Sequence, residues 1–332
     1  MEETVVNYLR NVLRGQQNGK ILNLELATVV KNFLDNDNFV MEAVASHSSN
    51  VFLLSSKLKN EQKFILKIRT TNQEKKHFGL KTEADICLEL ANDLSVTVPK
   101  IVLYGSTDEF EIALYGYRAG VLASDVLLDD TQIIFIWSAI LEIQNRLIIS
   151  KINSVQSIVK NLNEDHDFSG KIVRHTSKLL NIKLDPLRLK IIDDKLNLEK
   201  MKRSRTILSD RSPANWIISG NDIIAIDFDL LLPESCLGDF VLFIDDYRLS
   251  VPYNRNTMIG NCLNFLKKKG ISFTHEDFHW CAVNRNLLQG ALLYKNSKAG
   301  SLFCYQRALD SSIILKAGFI EQEIRKILPE VA

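Results

Sequence analysis

The sequence predicts an α+β chain: a small lobe on a five-stranded antiparallel sheet with one inserted helix, then a larger, mainly helical lobe. Three observations predict it. Between residues 39 and 118, five short apolar runs have the period of strands, separated by polar turns and one helical stretch. From residue 119 to near the end, the apolar spacing is almost everywhere that of helices. Inside that helical part, Trp216-Ile217-Ile218 and Ile223-Ile224-Ala225-Ile226 flank Ser219-Gly220-Asn221-Asp222. This is a hairpin signal, because Gly and Asn both tolerate the positive φ of a tight turn.

Residues 3–14 carry Val5, Val6, Leu9, Val12 and Leu13 at helical spacing, with Gly15 as a stop. A second helix is expected at 24–35, and the segment 1–36 is expected to pack against the first sheet. The sheet lobe, 37–118, opens with strands at 39–46, 50–58 and 63–70, turning at 46–50 and 59–62. In the third strand Phe64, Leu66 and Ile68 point one way, Ile65 and Lys67 the other. A helix over 73–94 follows, then strands 100–106 and 110–118 joined by Thr107-Asp108-Glu109. Tyr115-Gly116-Tyr117-Arg118-Ala119-Gly120 reads as a linker into the helical lobe, 119–332. There, helices are expected at 123–149, 152–163, 170–182 and 186–201, then the hairpin, then 238–249, 255–269, 275–294 and 301–328.

At 332 residues the chain is long enough for two lobes with separate cores. A net charge of +1 provides no general affinity for nucleic acid or an anionic membrane, so neither is expected as a partner. Five scattered cysteines with no Cys-x-x-Cys argue against a disulfide framework and against a zinc site. Met1-Glu2-Glu3-Thr4 lacks the basic start of a signal peptide. The most apolar span, 133–141, is far short of a membrane crossing before it meets Glu142, Gln144, Asn145 and Arg146. A cytoplasmic protein is expected; the oligomeric state is not legible.

Chemistry concentrates at the hairpin. Asp210 and Asn215 sit in the loop that feeds its first strand, and Asp227 ends its second. Oxygen donors of this kind suit Mg²⁺, a hard cation usually held by one or two carboxylates plus substrate phosphates. Lys67, central to an apolar strand, costs energy to desolvate without an anion. Glu83 shares a helix face with Ile86, Cys87 and Leu90 and needs a cation for the same reason, so the two are expected to pair. Between the first two strands, Ser46-His47-Ser48-Ser49-Asn50 has no glycine. Small hydroxyl residues can still present donors to phosphate, and an ordinary hairpin turn would look the same. Arg203, Arg205 and Arg211 read either as a substrate-binding group or as a solvated patch. The six histidines lack metal-site spacing: His166 falls in a polar run, and His275 and His279 at the polar start of a helix.

Asp210, four residues, Asn215 and a strand ending in Ile226-Asp227-Phe228 resemble a known pattern. It is the catalytic loop and metal-binding aspartate of the aminoglycoside phosphotransferase / choline kinase family, part of the protein-kinase-like superfamily. That loop usually reads His-Gly-Asp, four residues, Asn, often with Pro next but one before the Asn. Pro213 keeps its place, while Leu208 and Ser209 replace the His and Gly. The resemblance covers roughly residues 38–325. It implies a two-lobe kinase-like fold that uses ATP (or GTP) and Mg²⁺ to phosphorylate a hydroxyl of a small molecule such as an antibiotic, amino alcohol or sugar.

By the same resemblance Asp210 is the base, and Lys67, paired with Glu83, holds the α- and β-phosphates. Asp227 and Asn215 hold Mg²⁺, and Ser48, Ser49 and Asn50 cover the phosphates. ATP would lie between the lobes, its adenine against residues 114–117, with Tyr115 and Tyr117 as contacts. Gly238-Asp239 resembles the family's Gly-Asp, whose aspartate braces the catalytic loop. Asp229 is open between a ligand and a solvated acid. Leu208-Ser209 and the glycine-free loop also fit a non-catalytic nucleotide-binding scaffold, and a nucleotidyl transferase would reuse the same groups. After Leu231 basic residues are about as numerous as acidic ones, so no carboxylate-lined pocket for a polycation is indicated. The helices of 150–200 favour an enclosed pocket for a small molecule.

Overall fold

The period-two alternation between residues 39 and 116 sends one set of side chains to each face of a sheet, and each face has its own helical cover. The computed structural model describes residues 2–36, 39–44, 50–57, 63–70, 79–91, 96–228 and 231–332. They divide into two units. The first is Met1–Gly120 with Ser150–Ser154 and Ile217–Leu231; the second is Val121–Ile149, Val155–Trp216 and Leu232–Ala332.

The first unit begins with α1 (Glu2–Leu13), β1 (Lys20–Ile21) and α2 (Leu24–Asp35), whose first turn is capped by Asn23 accepting from Leu26 N–H. Then come β2 (Phe39–Val44), β3 (Asn50–Ser56), β4 (Lys63–Thr70), α3 (Leu80–Ala91), β5 (Ile101–Ser106) and β6 (Phe110–Gly116). The sheet is antiparallel throughout, in the order β1-β5-β6-β4-β3-β2. It thus has six strands rather than five. The extra one, β1, pairs only Lys20 with Tyr104 and Ile21 with Leu103, and two residues have no period to read. The expected linker also starts later, because Tyr115 and Gly116 still pair with Ile65 and Phe64.

Phe64, Leu66 and Ile68 of β4 join Leu54, Ile112 and Leu114 in a core closed by Val5, Leu9 and Val12 of α1 and by Val30 and Leu34 of α2. Fully burying each such side chain is worth roughly 1.5–3 kcal/mol. Arg10 locks the two helices together by donating to the Leu34 carbonyl at 3.0 and 2.7 Å. The N-terminal helices therefore occupy one face of the sheet and leave the other to α3, which packs on β5 and β6.

The second unit starts at β7 (Val121–Leu122) and continues through α4 (Asp130–Ile149), α5 (Asn153–Val159), α6 (Phe168–Leu180), α7 (Pro186–Leu196) and α8 (Glu199–Arg203). β8 (Arg205–Leu208) follows, then the hairpin of β9 (Trp216–Ser219) and β10 (Asp222–Ala225), most of which belongs to the first unit. Its turn has Gly220 at φ 60°, the sign required at the first central position of a type II′ turn. β11 (Leu232–Ser235), α9 (Leu237–Ile244), α10 (Arg255–Lys268), α11 (His275–Leu293), α12 (Lys298–Ile314) and α13 (Gly318–Val331) complete the chain.

Two expectations are corrected here, and one strand is added to them. The helix expected at 186–201 is split by Asn197, whose side chain is recruited by the backbone of His166. The helix expected at 301–328 breaks at Lys316, which turns the chain at φ 53°. Residues 232–235 form a strand that pairs antiparallel with β8, Leu232 opposite Leu208.

Among the described residues one helix, α4, is long and apolar enough to cross a membrane by length and composition, so the apolar span is longer than the expected 133–141. Half of that window is buried within the protein. Ile133, Ile136, Ile140, Ile143 and Leu147 form the buried stripe, at spacings of three and four.

A charged network lies in the second unit's interior. Asp245 accepts from Arg255 at 2.6 and 2.7 Å and from Asn286 at 2.7 Å. His279, expected in a polar first turn, is buried beside this network with Nδ1 3.2 Å from Ser311 Oγ. Burial, then the charge of Arg255, lowers its pKa from 6.5 to about 4. A histidine depressed in the folded state contributes stability while neutral, above about pH 6.5, and loses it as pH falls towards 4. In urea titrations across that window, His279→Gln is expected to fall less steeply than the parent. Parallel curves would assign the acid sensitivity elsewhere.

Candidate active site

In the first unit, the alternation of β4 that buries Leu66 and Ile68 under the N-terminal helices turns Lys67 to the opposite face. Lys67 Nζ lies 2.6 Å from Glu83 Oε1 and 3.0 Å from Asp227 Oδ1. The side chains are 13% exposed for Lys67, 1% for Glu83 and 31% for Asp227, so the cation is screened from water and the third group remains accessible. Asp227 thus presents a partly exposed carboxylate beside the screened ammonium.

Asp227 is placed by β10: the Ala225 N–H donates to the Thr97 carbonyl at 2.9 Å, and Ile224 bridges Thr97. Its backbone then takes φ 63°, a left-handed conformation that few residues other than Gly, Asn and Asp accept. The helix that carries Glu83 is held from outside by the segment Ser150–Ser154. Ser150 Oγ donates to Glu89 Oε2 at 2.7 Å, and Thr82 Oγ1 and Ser154 Oγ are 3.0 Å apart. The sequence carried no signal for this clasp, since its partners lie 61 and 72 residues apart.

In the second unit, Asp210 adopts φ 51°, the same left-handed conformation. The loop around it hangs from one fully buried carboxylate. Asp239, in the first turn of α9, accepts from the Ser209 N–H at 3.4 Å, the Arg211 N–H at 3.2 Å and Gln144 Nε2 at 3.0 Å. Burial pushes the Asp239 carboxyl up, and the Gln144 hydrogen bond and Arg211 oppose that shift. Asn215 Nδ2 donates to the Asp210 carbonyl at 2.5 Å, closing the loop from its other end. Gln144 lies in a polar interruption of an apolar helical run, beside Glu142, Asn145 and Arg146, and nothing local singled it out.

Arg211 is fully buried, donates through Nε and Nη2 to the Ser209 carbonyl at 2.8 and 2.5 Å, and lies 5.8 Å from the Trp216 ring. Arg205 is buried as well and donates to the carbonyls of Leu162, Glu164 and Leu196. These two arginines are therefore structural staples of the loop rather than a solvated patch, and only Arg203 of the three is exposed.

Other expected contacts are less central. Tyr115 is buried in β6, its ring 5.6 Å from Lys67 Nζ, so it lies against the ion pair instead of in a linker. Burial, and then the charge of Glu83, push its hydroxyl well above the ordinary tyrosine value. Tyr117 is exposed, with its ring 5.9 Å from Lys63 Nζ. Asn50 is exposed at the start of β3 opposite Ile68, one position from the rung that pairs Val51 with Lys67. Ser48, Ser49, Asp229, His47 and His77 lie outside the described residues.

No family model and no curated protein matches the sequence. Solved structures do match. Choline kinase from Cryptosporidium parvum is 14% identical with a TM-score of 0.55, covering 98% of each chain. Amicoumacin kinase hAmiN, solved with AMP-PNP, Ca²⁺ and Ami, is 13% identical with a TM-score of 0.54, covering 91% of this chain and 93% of its own. Aminoglycoside phosphotransferase APH(3'')-Id from Streptomyces rimosus is 13% identical with a TM-score of 0.52, covering 80% of this chain and 98% of its own. These neighbours are small-molecule kinases, and the chain has the protein-kinase-like fold of the aminoglycoside phosphotransferase and choline kinase group.

Proposed function

We propose that the chain is a phosphotransferase that moves the γ-phosphoryl group of ATP or GTP to a hydroxyl of a small molecule. The observation that carries this reading is the screened Lys67, held between Glu83 and Asp227. An ammonium fixed in this way is a ready contact for nucleotide phosphates, and the partly exposed Asp227 carboxylate beside it is an oxygen donor suited to a divalent ion. Asp227 would offer Mg²⁺ a partly exposed carboxylate oxygen. By the resemblance Asn215, whose amide nitrogen is committed to the Asp210 carbonyl, would offer its oxygen. Among the described residues no cluster of three or more His, Cys, Asp or Glu suits a metal, consistent with an ion held largely by phosphate oxygens. Such an ion would neutralise charge on the phosphates when bound.

The residues divide the work. Lys67 holds the phosphates and Glu83 holds Lys67. Asp210 orients the acceptor hydroxyl and takes its proton as the new oxygen–phosphorus bond forms, while the bond from the γ-phosphorus to the bridging oxygen breaks and the diphosphate leaves. The departure at Leu208-Ser209 is absorbed by packing. Leu208 is buried against Gly238, where an added Cβ would meet Leu208 Cδ1 at 2.3 Å, and Ser209 still offers its N–H to Asp239.

Thermal unfolding with Mg²⁺ and ATP or GTP tests the nucleotide part. A ligand at a hundred times its dissociation constant stabilises the folded state by about 2.7 kcal/mol. The parent is expected to show a Mg²⁺-dependent upward shift that Asp227→Asn removes. Equal shifts in the two proteins would move the metal site away from Asp227. Release of pyrophosphate in place of the diphosphate nucleotide would instead identify a nucleotidyl transferase.

A further inference from the structure

The chain enters the first unit a second time for five residues, Ser150–Ser154. They run beside α3 in the opposite direction. Ser150 meets Glu89 in the last turn of the helix, and Ser154 meets Thr82 in the first. Thr82 and Glu89 are two helical turns apart, a rise of about 10.5 Å. Four steps of extended chain reach at most about 13–14 Å, so one short segment can hold both ends of α3 at once. Ser150 is 1% exposed, donates to Glu89 Oε2 at 2.7 Å and accepts the Ile152 N–H at 3.2 Å, which fixes its hydroxyl from two sides.

On its inner face α3 buries Leu80, Ile86, Cys87 and Leu90 and, from the same face, presents Glu83 to Lys67 at 2.6 Å. The start of the helix is tied to β6, because the Leu80 N–H donates to Glu111 Oε2 at 2.9 Å. The outer side is built differently. A cavity of about 620 Å³ lies there, lined by Thr82, Asp85, Leu88 and Glu89 of α3 and by residues 151–154. Side chains do not fill this junction, so hydrogen bonds rather than close packing carry it. Small movements of the helix matter to its inner face. A rotation of about 10° at a side-chain radius of about 6 Å moves a carboxylate by about 1 Å. That is enough to take the Glu83–Lys67 contact out of hydrogen-bond range.

We propose that Ser150, Thr82 and Ser154 are positioning residues for nucleotide binding. Their hydroxyls fix the rotation of α3, and α3 in turn holds Glu83 where it keeps Lys67 aimed at the phosphates. Nucleotide affinity is thus set in part from the outer face of the helix, by side chains that act through Glu83. This rests on the phosphotransferase reading, because it takes Lys67 as the phosphate contact.

The test is titration of the full-length protein with Mg²⁺ and non-hydrolysable analogues of ATP and GTP. Ser150→Ala and Thr82→Val are each expected to weaken binding, together by about tenfold, the worth of one charge-assisted hydrogen bond. Thr82→Ser, which keeps the hydroxyl, should bind like the parent. Thr82→Val has the shape of the parent residue at a half-buried position, and carries the test alone if the change at Ser150 costs the fold. Added to Glu83→Gln, the two changes should have no further effect, because the contact they position is already lost. A purely structural role would lower the urea midpoint and leave the affinity at the parent value. The inference is overturned by that result, or by a loss of affinity that adds in full to that of Glu83→Gln. Failure of the broader reading would show differently: the parent would bind neither analogue, or Glu83→Gln would bind as the parent does.

Discussion

Asp210→Asn is expected to lower turnover by about 10²–10⁴-fold, the usual contribution of a positioned general base, while nucleotide affinity stays near that of the parent. The separation follows from where the charges lie. The proposed phosphate-holding group is Lys67, which meets Glu83 at 2.6 Å and Asp227 at 3.0 Å. The loop is also held by contacts that do not use the Asp210 carboxylate. Asn215 reaches the Asp210 carbonyl, and Asp239 takes the N–H groups on either side. An amide in place of the acid therefore keeps the shape and removes only the proton acceptor. Single-turnover rates and nucleotide titrations on the same samples check both halves. A variant that turns over at the parent rate would mean that another group accepts the proton. A variant that loses nucleotide affinity as well would mean that Asp210 serves the phosphates.

Asp239→Ala is expected to cost about 3 kcal/mol or more of stability, because it orphans three buried donors at once. The Ser209 and Arg211 N–H groups and one hydrogen of Gln144 Nε2 donate to this carboxylate, which is fully buried, while Gln144 Nε2 also reaches the Cys236 carbonyl at 3.1 Å. Asp239→Asn should cost less, since it keeps one acceptor oxygen. Urea unfolding of both variants, with Asp210→Asn as the nearby control, measures the effect. If Asp239→Ala unfolds at the parent's midpoint, the loop is held by other contacts. The same variant is also expected to lose activity, since Asp210 keeps its left-handed backbone only while the two flanking N–H groups are held.

Several parts of this arrangement were legible in the residues. Lys67 in an apolar strand and Glu83 on an apolar helix face each require an opposite charge, and that need is visible locally because burial follows from periodicity. The Gly220-Asn221 turn and the spacing of Asp210, Asn215 and Asp227 are equally local. The burial of Arg205 and Arg211 was not. Three arginines near one loop look solvated until one sees that Arg211 satisfies the Ser209 carbonyl within it and Arg205 satisfies carbonyls of Leu162, Glu164 and Leu196. The split of the long C-terminal helix at Lys316 was hidden for a related reason: a left-handed lysine is decided by where α13 must pack.

By itself, then, the sequence determined the fold class, the order of the elements and the residue types that carry the chemistry. These depend on neighbours within one or two turns of helix or a few residues of strand. Only the tertiary structure decided which groups neutralise one another. Lys67 meets Asp227 across 160 residues, Gln144 meets Asp239 across 95, and Ser150 meets Glu89 across 61. The N-terminal helices likewise acquired their place, on the sheet face away from Lys67, only through long-range packing. The physical reason is the same in each case. A buried charge or amide must be satisfied by some partner, but chain proximity does not choose that partner; the shape of the packed core does.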